Sequence, residues 1–208
     1  MNDSVADKEH PEAPFHVGRH IKHYMEANNY SAAWLASRLF CDRTNVYKIY
    51  SRRGVDSEML FRISFFLRHD FFADYSHAFM RIKSRGGGMS GIKRSVIPQG
   101  QNAHKPMKAQ KTNAEHQTQS LSEVLPDIGD EIRKVLARKH LSGAWLAVRI
   151  GCDRTNIYKI LRKKSIDTSL LLRISVILDH DFFGLYSREF KHSAGDSAGS
   201  AGLDENAR

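Results

Sequence analysis

Apolar and polar positions repeat with a helical period between residues 17 and 79 of the chain. Residues three and four positions apart share one face of a helix, so an apolar series with that spacing marks a buried face. Such series are formed by Ile21, Tyr24 and Met25 in an early segment and by Leu60, Ile63 and Leu67 in a later one. This pattern predicts an all-α fold built from short amphipathic helices.

Short polar side chains mark the predicted helix starts, because they accept hydrogen bonds from the free N–H groups of a first helical turn. Ser31 precedes a helix predicted for residues 32–39, and Asp42 precedes a second helix predicted for residues 43–51. A connection this short makes two helices cross steeply, and Ala36 supplies the small side chain needed where they approach. Two further caps, which predict later helices, are Asp56 and Asp70.

The whole pattern occurs twice in the chain. A shift of 111 residues places residues 17–79 on residues 128–190 without a gap, with 29 identities in 63 positions. The stretch from Cys41 to Ile49 recurs as Cys152 to Ile160 with a single exchange of valine for isoleucine. We therefore predict two duplicated domains of four to five helices, the first in residues 17–79 and the second in residues 125–190.

The segments outside the repeats have the composition of unpacked chain. Residues 80–124 contain three consecutive glycines and show no apolar period, which predicts a flexible linker. This linker is also basic, because residues 80–120 carry a net charge of +7. The polar composition of residues 1–16 and 191–208 predicts disordered tails at both ends.

The composition narrows the classes of partner and compartment. A net charge of +9 and a pI near 9.6 suit a polyanion, either nucleic acid or a membrane surface. The chain lacks an apolar run long enough to span a bilayer, and its polar N-terminus does not resemble a secretory signal. The two cysteines, Cys41 and Cys152, lack the spacing of a disulfide framework or a metal site. We expect a cytoplasmic, nucleoid-associated protein.

No set of residues in the sequence indicates catalysis. A Ser/His/Asp set, paired carboxylates and a phosphate-binding loop are all missing, and the 11 histidines are scattered. We therefore expect no enzymatic activity, no cofactor, no bound metal and no small-molecule substrate.

The spacing of the two closely connected helices resembles the helix-turn-helix of the phage-repressor/Cro-like (XRE) family. The run Cys-Asp-Arg-Thr-Asn-Val-Tyr-Lys-Ile from Cys41, followed by Asp-Ser and His-Asp-Phe-Phe, is similar to small regulators of that family from Bacteroidetes bacteria. The resemblance covers both repeats and implies two tandem Cro/repressor-like domains in a transcriptional regulator, with repression as its expected action. One departure is that the family usually has glycine in the turn: Gly151 matches this pattern, whereas Phe40 does not.

The second helix of such a motif enters the major groove of DNA and presents the side chains near its N-terminus to the bases. Val46 and Ile49 are predicted to face inward, which leaves the opposite face free. The residues predicted to contact DNA are Arg43, Thr44, Asn45, Tyr47 and Lys48 in the first repeat and Arg154, Thr155, Asn156, Tyr158 and Lys159 in the second. Arginine and lysine can bond guanine, and the asparagine and tyrosine side chains can donate to phosphates.

Identical reading faces imply two similar half-sites on double-stranded DNA. Residues 80–120 of the linker, about 41 flexible residues, span roughly 35 Å, close to one turn of the double helix, and leave direct and inverted arrangements open. The sequence leaves open whether the chain forms a homodimer or pairs its own two domains. The Phe71–Phe72 pair and its counterpart are predicted to be core, with a dimerisation patch as the alternative.

Two other functions remain as alternatives at this point. The first is a protein–protein interaction module, such as an antitoxin or a phage-type adaptor, that kept the fold without binding DNA. The second is non-specific binding of nucleic acid through the basic linker, with little preference for sequence.

Overall fold

The computed structural model of the chain describes residues 15–84 and 125–197, and within these ranges the protein is all-helical. The helices are α1 (Val17–Ala27), α2 (Ala32–Leu39), α3 (Arg43–Tyr50), α4 (Ser57–Leu67), α5 (Phe71–Ser84), α6 (Ile128–Arg138), α7 (Gly143–Ile150), α8 (Arg154–Ile160), α9 (Thr168–Leu178) and α10 (Phe183–Ser197). The five helices of the first repeat match those of the second, 111 residues later, to within two residues at their ends. The predicted all-α class is confirmed. Among the described helices, none combines the length and apolar character needed to cross a bilayer.

The predicted caps stand at the observed helix starts. The Ser31 hydroxyl accepts a hydrogen bond from the backbone N–H of Trp34 at 3.1 Å, at the start of α2. The Asp56 carboxylate accepts one from the N–H of Glu58 at 3.0 Å, at the start of α4. Asp42 occupies the cap position of α3 without a side-chain hydrogen bond to that helix. Local chemistry therefore sets these boundaries, as expected from the sequence.

Each repeat has a buried apolar centre. The fully buried residues include Ile21, Leu35, Val46 and Leu60 in the first repeat and their equivalents Ile132, Leu146, Ile157 and Leu171 in the second. Every one of the five helices contributes to this centre, so the helices of a repeat hold one another in place.

The last two helices of each repeat also pack against the other repeat. Tyr75 on α5 stacks on Phe183 on α10, with ring centroids 4.4 Å apart, and Phe72 on α5 stacks on Tyr186 on α10 at 4.6 Å. Because Phe183 is the equivalent of Phe72 and Tyr186 is the equivalent of Tyr75, the two stacks are one contact made twice with the roles exchanged. The second phenylalanine of each pair thus lies at the interface between the repeats of one chain. Both pairs are fully buried, as the core prediction expects, and are not exposed as the alternative dimerisation patch would require.

Hydrogen bonds across this interface show the same exchange. The Tyr75 hydroxyl lies 2.7 Å from the Thr168 hydroxyl, and the Tyr186 hydroxyl donates to the Ser57 hydroxyl at 3.0 Å. The backbone N–H of Ser57 donates to the carbonyl of Ile166 at 2.9 Å. In the same way, the N–H of Thr168 donates to the carbonyl of Val55, the equivalent of Ile166, at 2.8 Å. Reciprocal contacts of this kind define an isologous interface, so a pseudo-two-fold axis relates the two repeats.

Helical structure continues beyond the ends that the sequence pattern suggested for the repeats. Helix α5 runs past Phe79 to Ser84, and α10 runs past Phe190 to Ser197. In the added turn of α5, Lys83 forms an ion pair with Asp179 at 2.7 Å. Residues 1–14, 85–124 and 198–208 lie outside the described residues, and so do the tails and linker predicted for them.

Candidate nucleic-acid interface

Helices α3 and α8 are anchored on one side only. Val46 and Ile49 on α3 are buried against the rest of the first repeat, and Ile157 and Ile160 are buried in the same way on α8. The inward positions predicted from the sequence are therefore correct. The opposite face of each short helix is left at the surface.

The outer faces of the two helices carry the side chains that the sequence singled out. The exposed members are Arg43, Thr44, Tyr47 and Lys48 on α3 and Arg154, Thr155, Tyr158 and Lys159 on α8. Asn45 and Asn156 lie at the edge of these faces and are half-buried. We call the two sets the α3 face and the α8 face. Neither face is covered by the other repeat.

The cations on these faces are available to a partner. Within the described ranges, Arg43, Lys48 and Lys159 take part in no ion pair, and the Arg154 guanidinium lies 6.0 Å from the ring centre of Tyr158. An arginine held over a tyrosine ring keeps its charge and most of its donors. Both faces therefore present N–H donors and positive charge, and no ion pair of the described residues ties these cations to an acidic side chain.

The turns that precede the two helices have the same backbone shape despite their different residues. Phe40 has φ 52° and ψ 46°, and Gly151 has φ 78° and ψ 42°, so both residues are left-handed. In each turn the N–H of the following cysteine donates a hydrogen bond at 3.0 Å to the carbonyl oxygen of an alanine in the preceding helix, Ala36 or Ala147. The Phe40 side chain is 45% exposed. The first turn is thus undistorted, and its phenylalanine combines an unfavourable φ with a side chain that is only partly buried.

A glycine in the first turn of another helix packs against the C-terminal end of each exposed helix and fixes its position. The N–H of Gly18, in the first turn of α1, donates at 3.1 Å to the carbonyl of Arg52, just after α3. A Cβ atom on Gly18 would lie 2.2 Å from the Ile49 carbonyl oxygen, closer than any real contact. Gly129 has the same place beneath α8, where its added Cβ would lie 2.5 Å from the Leu161 carbonyl oxygen. The N-terminus of one helix thus meets the C-terminal end of another with no room for a side chain.

Two arginines that the sequence analysis did not select hold the helix pairs in place. The Arg62 guanidinium on α4 donates to the Leu39 carbonyl at the end of α2, at 3.2 Å. Arg173 on α9 donates to the Ile150 carbonyl at the end of α7, at 2.6 Å. Burial lowers the pKa of Arg62 from its ordinary value, but an arginine remains charged. Their conservation between the two repeats was the available signal in the sequence.

A second group that the sequence analysis missed follows α3 and α8 directly. The exposed basic residues there are Arg52 and Arg53 in the first repeat and Arg162, Lys163 and Lys164 in the second. They extend the positive surface beyond the C-terminal end of each helix. Their clustering behind the motif helix is visible in the sequence as a short charge run.

The cysteines at the turns have a structural role. Cys41 and Cys152 are free and half-buried, and each packs against the apolar centre of its repeat. Burial raises the pKa of both thiols, so they are protonated at neutral pH. Burial also raises the pKa of Tyr50, at the end of α3, to about 12.

No protein-family model matches the chain, and searches of the curated proteins and of the solved structures find no match either.

The geometry of the site limits what it can do chemically. Each face is the outer surface of a helix anchored by buried side chains, and it offers donors and cations to acceptor atoms in a groove or on a charged backbone. Identical faces on both repeats, related by a pseudo-two-fold axis, suit a partner that is itself two-fold symmetric.

Proposed function

We propose that the protein is a sequence-specific regulator of transcription, acting as a repressor, that binds double-stranded DNA through the α3 and α8 faces. Each of these helices is the second member of a helix-turn-helix and lies in the major groove. Arg43 and Lys48, with Arg154 and Lys159, contact base edges, and the tyrosine and asparagine side chains contact phosphates. The basic residues behind each helix add phosphate contacts.

One observation supports this function above the others. The two helices bury one side and expose an identical set of unpaired cations and donors on the other, in a chain with a net charge of +9. An adaptor that binds only proteins has no need for two identical cationic helix faces. A packaging protein that binds phosphates alone has no need for a matched pair of rigid reading helices.

The arrangement of the repeats supports a particular kind of operator. Because the interface contacts are reciprocal, the α3 and α8 faces are related by the same pseudo-two-fold axis as the repeats. Two-fold related reading helices match half-sites that are inverted relative to each other. We therefore propose an operator with two similar half-sites in a palindromic arrangement, bound by one chain.

Selection of binding sites from a random pool of duplexes, at a stated salt concentration, tests this function. The expected result is a motif with two related, inverted half-sites. A pool without a motif, bound with a steep salt dependence, would show non-specific packaging instead. A chain that retains no duplex at low salt would leave the protein-interaction alternative.

Charge reversal tests the residues themselves. Arg43→Glu together with Arg154→Glu is expected to abolish binding to the selected operator in a fluorescence-anisotropy titration. The control is Arg81→Glu with Arg188→Glu, which changes the net charge equally at exposed positions outside the two faces. Equal losses in the two double variants would mean that only total charge matters, and would contradict base reading by these helices.

A further inference from the structure

A cluster of three potential metal ligands lies in the first repeat, away from the α3 face. His20 on α1 and His69, between α4 and α5, each place the Nε2 atom 2.8 Å from the same Oδ2 atom of Asp74 on α5. The three ligand atoms all lie within 4.8 Å of one another, and the three side chains are half-buried. Three separate elements of the fold therefore converge on one point.

The rings around the cluster hold the imidazoles in place. His69 packs against Tyr24 and Phe71, with ring centroids 4.3 and 4.5 Å away, and His20 packs against Phe15 and Phe71 at 5.6 and 5.7 Å. An apolar shell of this kind orients ligands and limits the access of water. The histidines are thus fixed before any ion binds.

The second repeat lacks the cluster although the fold around it is the same. The equivalent positions hold Glu131, His180 and Leu185, and Glu131 is paired with Lys134 at 2.8 Å. Only Asp74 lacks a histidine or carboxylate counterpart, because Leu185 occupies its place, and the set in the second repeat is therefore incomplete. The second repeat serves as a comparison within the same molecule.

We propose that His20, His69 and Asp74 bind one zinc ion per chain. Two imidazole nitrogens and one carboxylate oxygen form a donor set that zinc prefers, with water in the remaining position. For the ion to bind, each neutral imidazole carries its proton on Nδ1, exchanged through solvent, so that the lone pair of Nε2 is free to coordinate zinc. The Nε2–Oδ2 separations then open from 2.8 Å to about 3.3 Å, the spacing of tetrahedral ligands about 2.0–2.1 Å from zinc. Such a shift needs only side-chain movement.

The bound ion ties α1 to the start of α5. Asp74 is followed by Tyr75, which stacks across the interface between the repeats. Zinc therefore stabilises the helix that joins the first repeat to the second. The proposed DNA-binding function is not required for this site.

A calorimetric titration of the full-length, chelator-treated chain with Zn²⁺ tests the proposal in the absence of DNA. We expect one saturable site per chain with a dissociation constant in the micromolar range. In metal sites generally, mutation of a residue that only orients a ligand costs about 10–100-fold in metal affinity. Loss of a ligand itself should cost at least as much, so His20→Gln and Asp74→Asn should each weaken zinc binding at least tenfold. Matched controls are His77→Gln, on the exposed side of α5, and His180→Gln in the second repeat, which should bind like the wild type.

A melting experiment on the wild type does not depend on the folding of any variant. Saturating Zn²⁺ should raise the melting temperature by about 3 °C or more, because the ion binds only the folded arrangement of ligands. The proposal is wrong if the wild type shows no saturable site below about 100 μM. It is equally wrong if the His20 and Asp74 variants bind zinc as tightly as the wild type does, since other histidines would then hold the ion.

Discussion

Phe40 and Gly151 show what a single residue contributes when the backbone around it stays the same. Both adopt the left-handed conformation at the end of the first motif helix, yet only one of them is glycine. A side chain in this region of φ costs about 1–2 kcal/mol, and Phe40 leaves 45% of its surface exposed to solvent. The first repeat thus carries strain at its turn that the second repeat lacks.

Phe40→Gly is therefore expected to stabilise the protein. Relief of the strained φ outweighs the added flexibility of glycine in the unfolded chain, which costs about 0.4–1 kcal/mol, so the net gain is about 0.5–1 kcal/mol. Chemical denaturation monitored by circular dichroism measures this gain. The reverse exchange, Gly151→Phe, should destabilise by a similar amount. A lower melting temperature for Phe40→Gly would show that the ring makes contacts that compensate for its φ.

Base contacts and phosphate contacts can be separated at the level of single side chains. Arg43→Ala should cost about 1–3 kcal/mol of operator affinity and relax the preference at one base pair, because the contact proposed for this arginine is with a base edge. Arg53→Ala, behind α3, should weaken binding to all sequences alike and lower the salt slope by about one. Titrations against the operator and a scrambled duplex at several salt concentrations give both quantities. If Arg43→Ala leaves sequence preference intact, the arginine contacts only the backbone.

At the residue scale, the sequence predicted interactions between neighbouring positions and missed contacts between residues far apart in the chain. Ser31 and Asp56 were found because a cap acts on the turn next to it, and Val46 and Ile49 were found because they share a helical period. Arg62 was missed because its partner lies 23 residues away and nothing local marks it. The His20–Asp74 contact was missed for the same reason, since 54 residues separate the two side chains.

At the scale of elements, the packing of α1 against α3 determines the position of α3, the helix proposed to read DNA. Gly18 allows the start of α1 to approach the C-terminal end of α3. There the first N–H groups of α1 donate hydrogen bonds to the carbonyls of Arg52 and Arg53, which follow α3. Opposite ends of the two helix dipoles also attract at this point. The position of α3 therefore depends on a residue that lies outside the α3 face.

Gly18→Ala is expected to displace α3 and destabilise the first repeat by about 2 kcal/mol or more, since the new Cβ overlaps backbone atoms. Operator affinity should fall further than stability alone explains, because the reading helix shifts. The control is Gly184→Ala on α10, where the added Cβ meets its nearest atom at 3.5 Å and helix propensity improves. Thermal melting and anisotropy titration measure the two effects. Wild-type melting of Gly18→Ala would mean that α1 and α3 move apart freely.

Helix boundaries were the part of the elements that the sequence predicted least well. The apolar period of α5 fades after Phe79, although the helix continues to Ser84. Its last turns are held by contacts beyond the repeat, such as the ion pair of Lys83 with Asp179. The apolar period of a single helix cannot predict stabilising contacts that its last turn makes with a distant part of the chain.

In the whole molecule, the interface between the repeats determines how the repeats are arranged, whereas the sequence had suggested that only the linker connects them. A tether of about 41 residues permits many arrangements of two domains, including direct and inverted ones. The stacked Tyr75–Phe183 and Phe72–Tyr186 pairs, with their reciprocal hydrogen bonds, select one arrangement. The sequence showed the aromatic residues but did not distinguish core from interface, because both are apolar and buried.

This pairing makes a strong prediction about operator spacing. If the two repeats bind DNA as one rigid unit, affinity for inverted half-sites peaks at a single separation. An insertion of about 5 bp rotates one half-site to the opposite side of the duplex, and an insertion of about 10 bp restores its side but adds about 34 Å. A rigid pair should lose at least tenfold in affinity with either insertion, whereas a flexible tether recovers affinity at 10 bp. Anisotropy titrations of a spacing series, with a single half-site duplex as the baseline, distinguish the two cases. Recovery at 10 bp would mean that the interface between the repeats opens when the chain binds its operator.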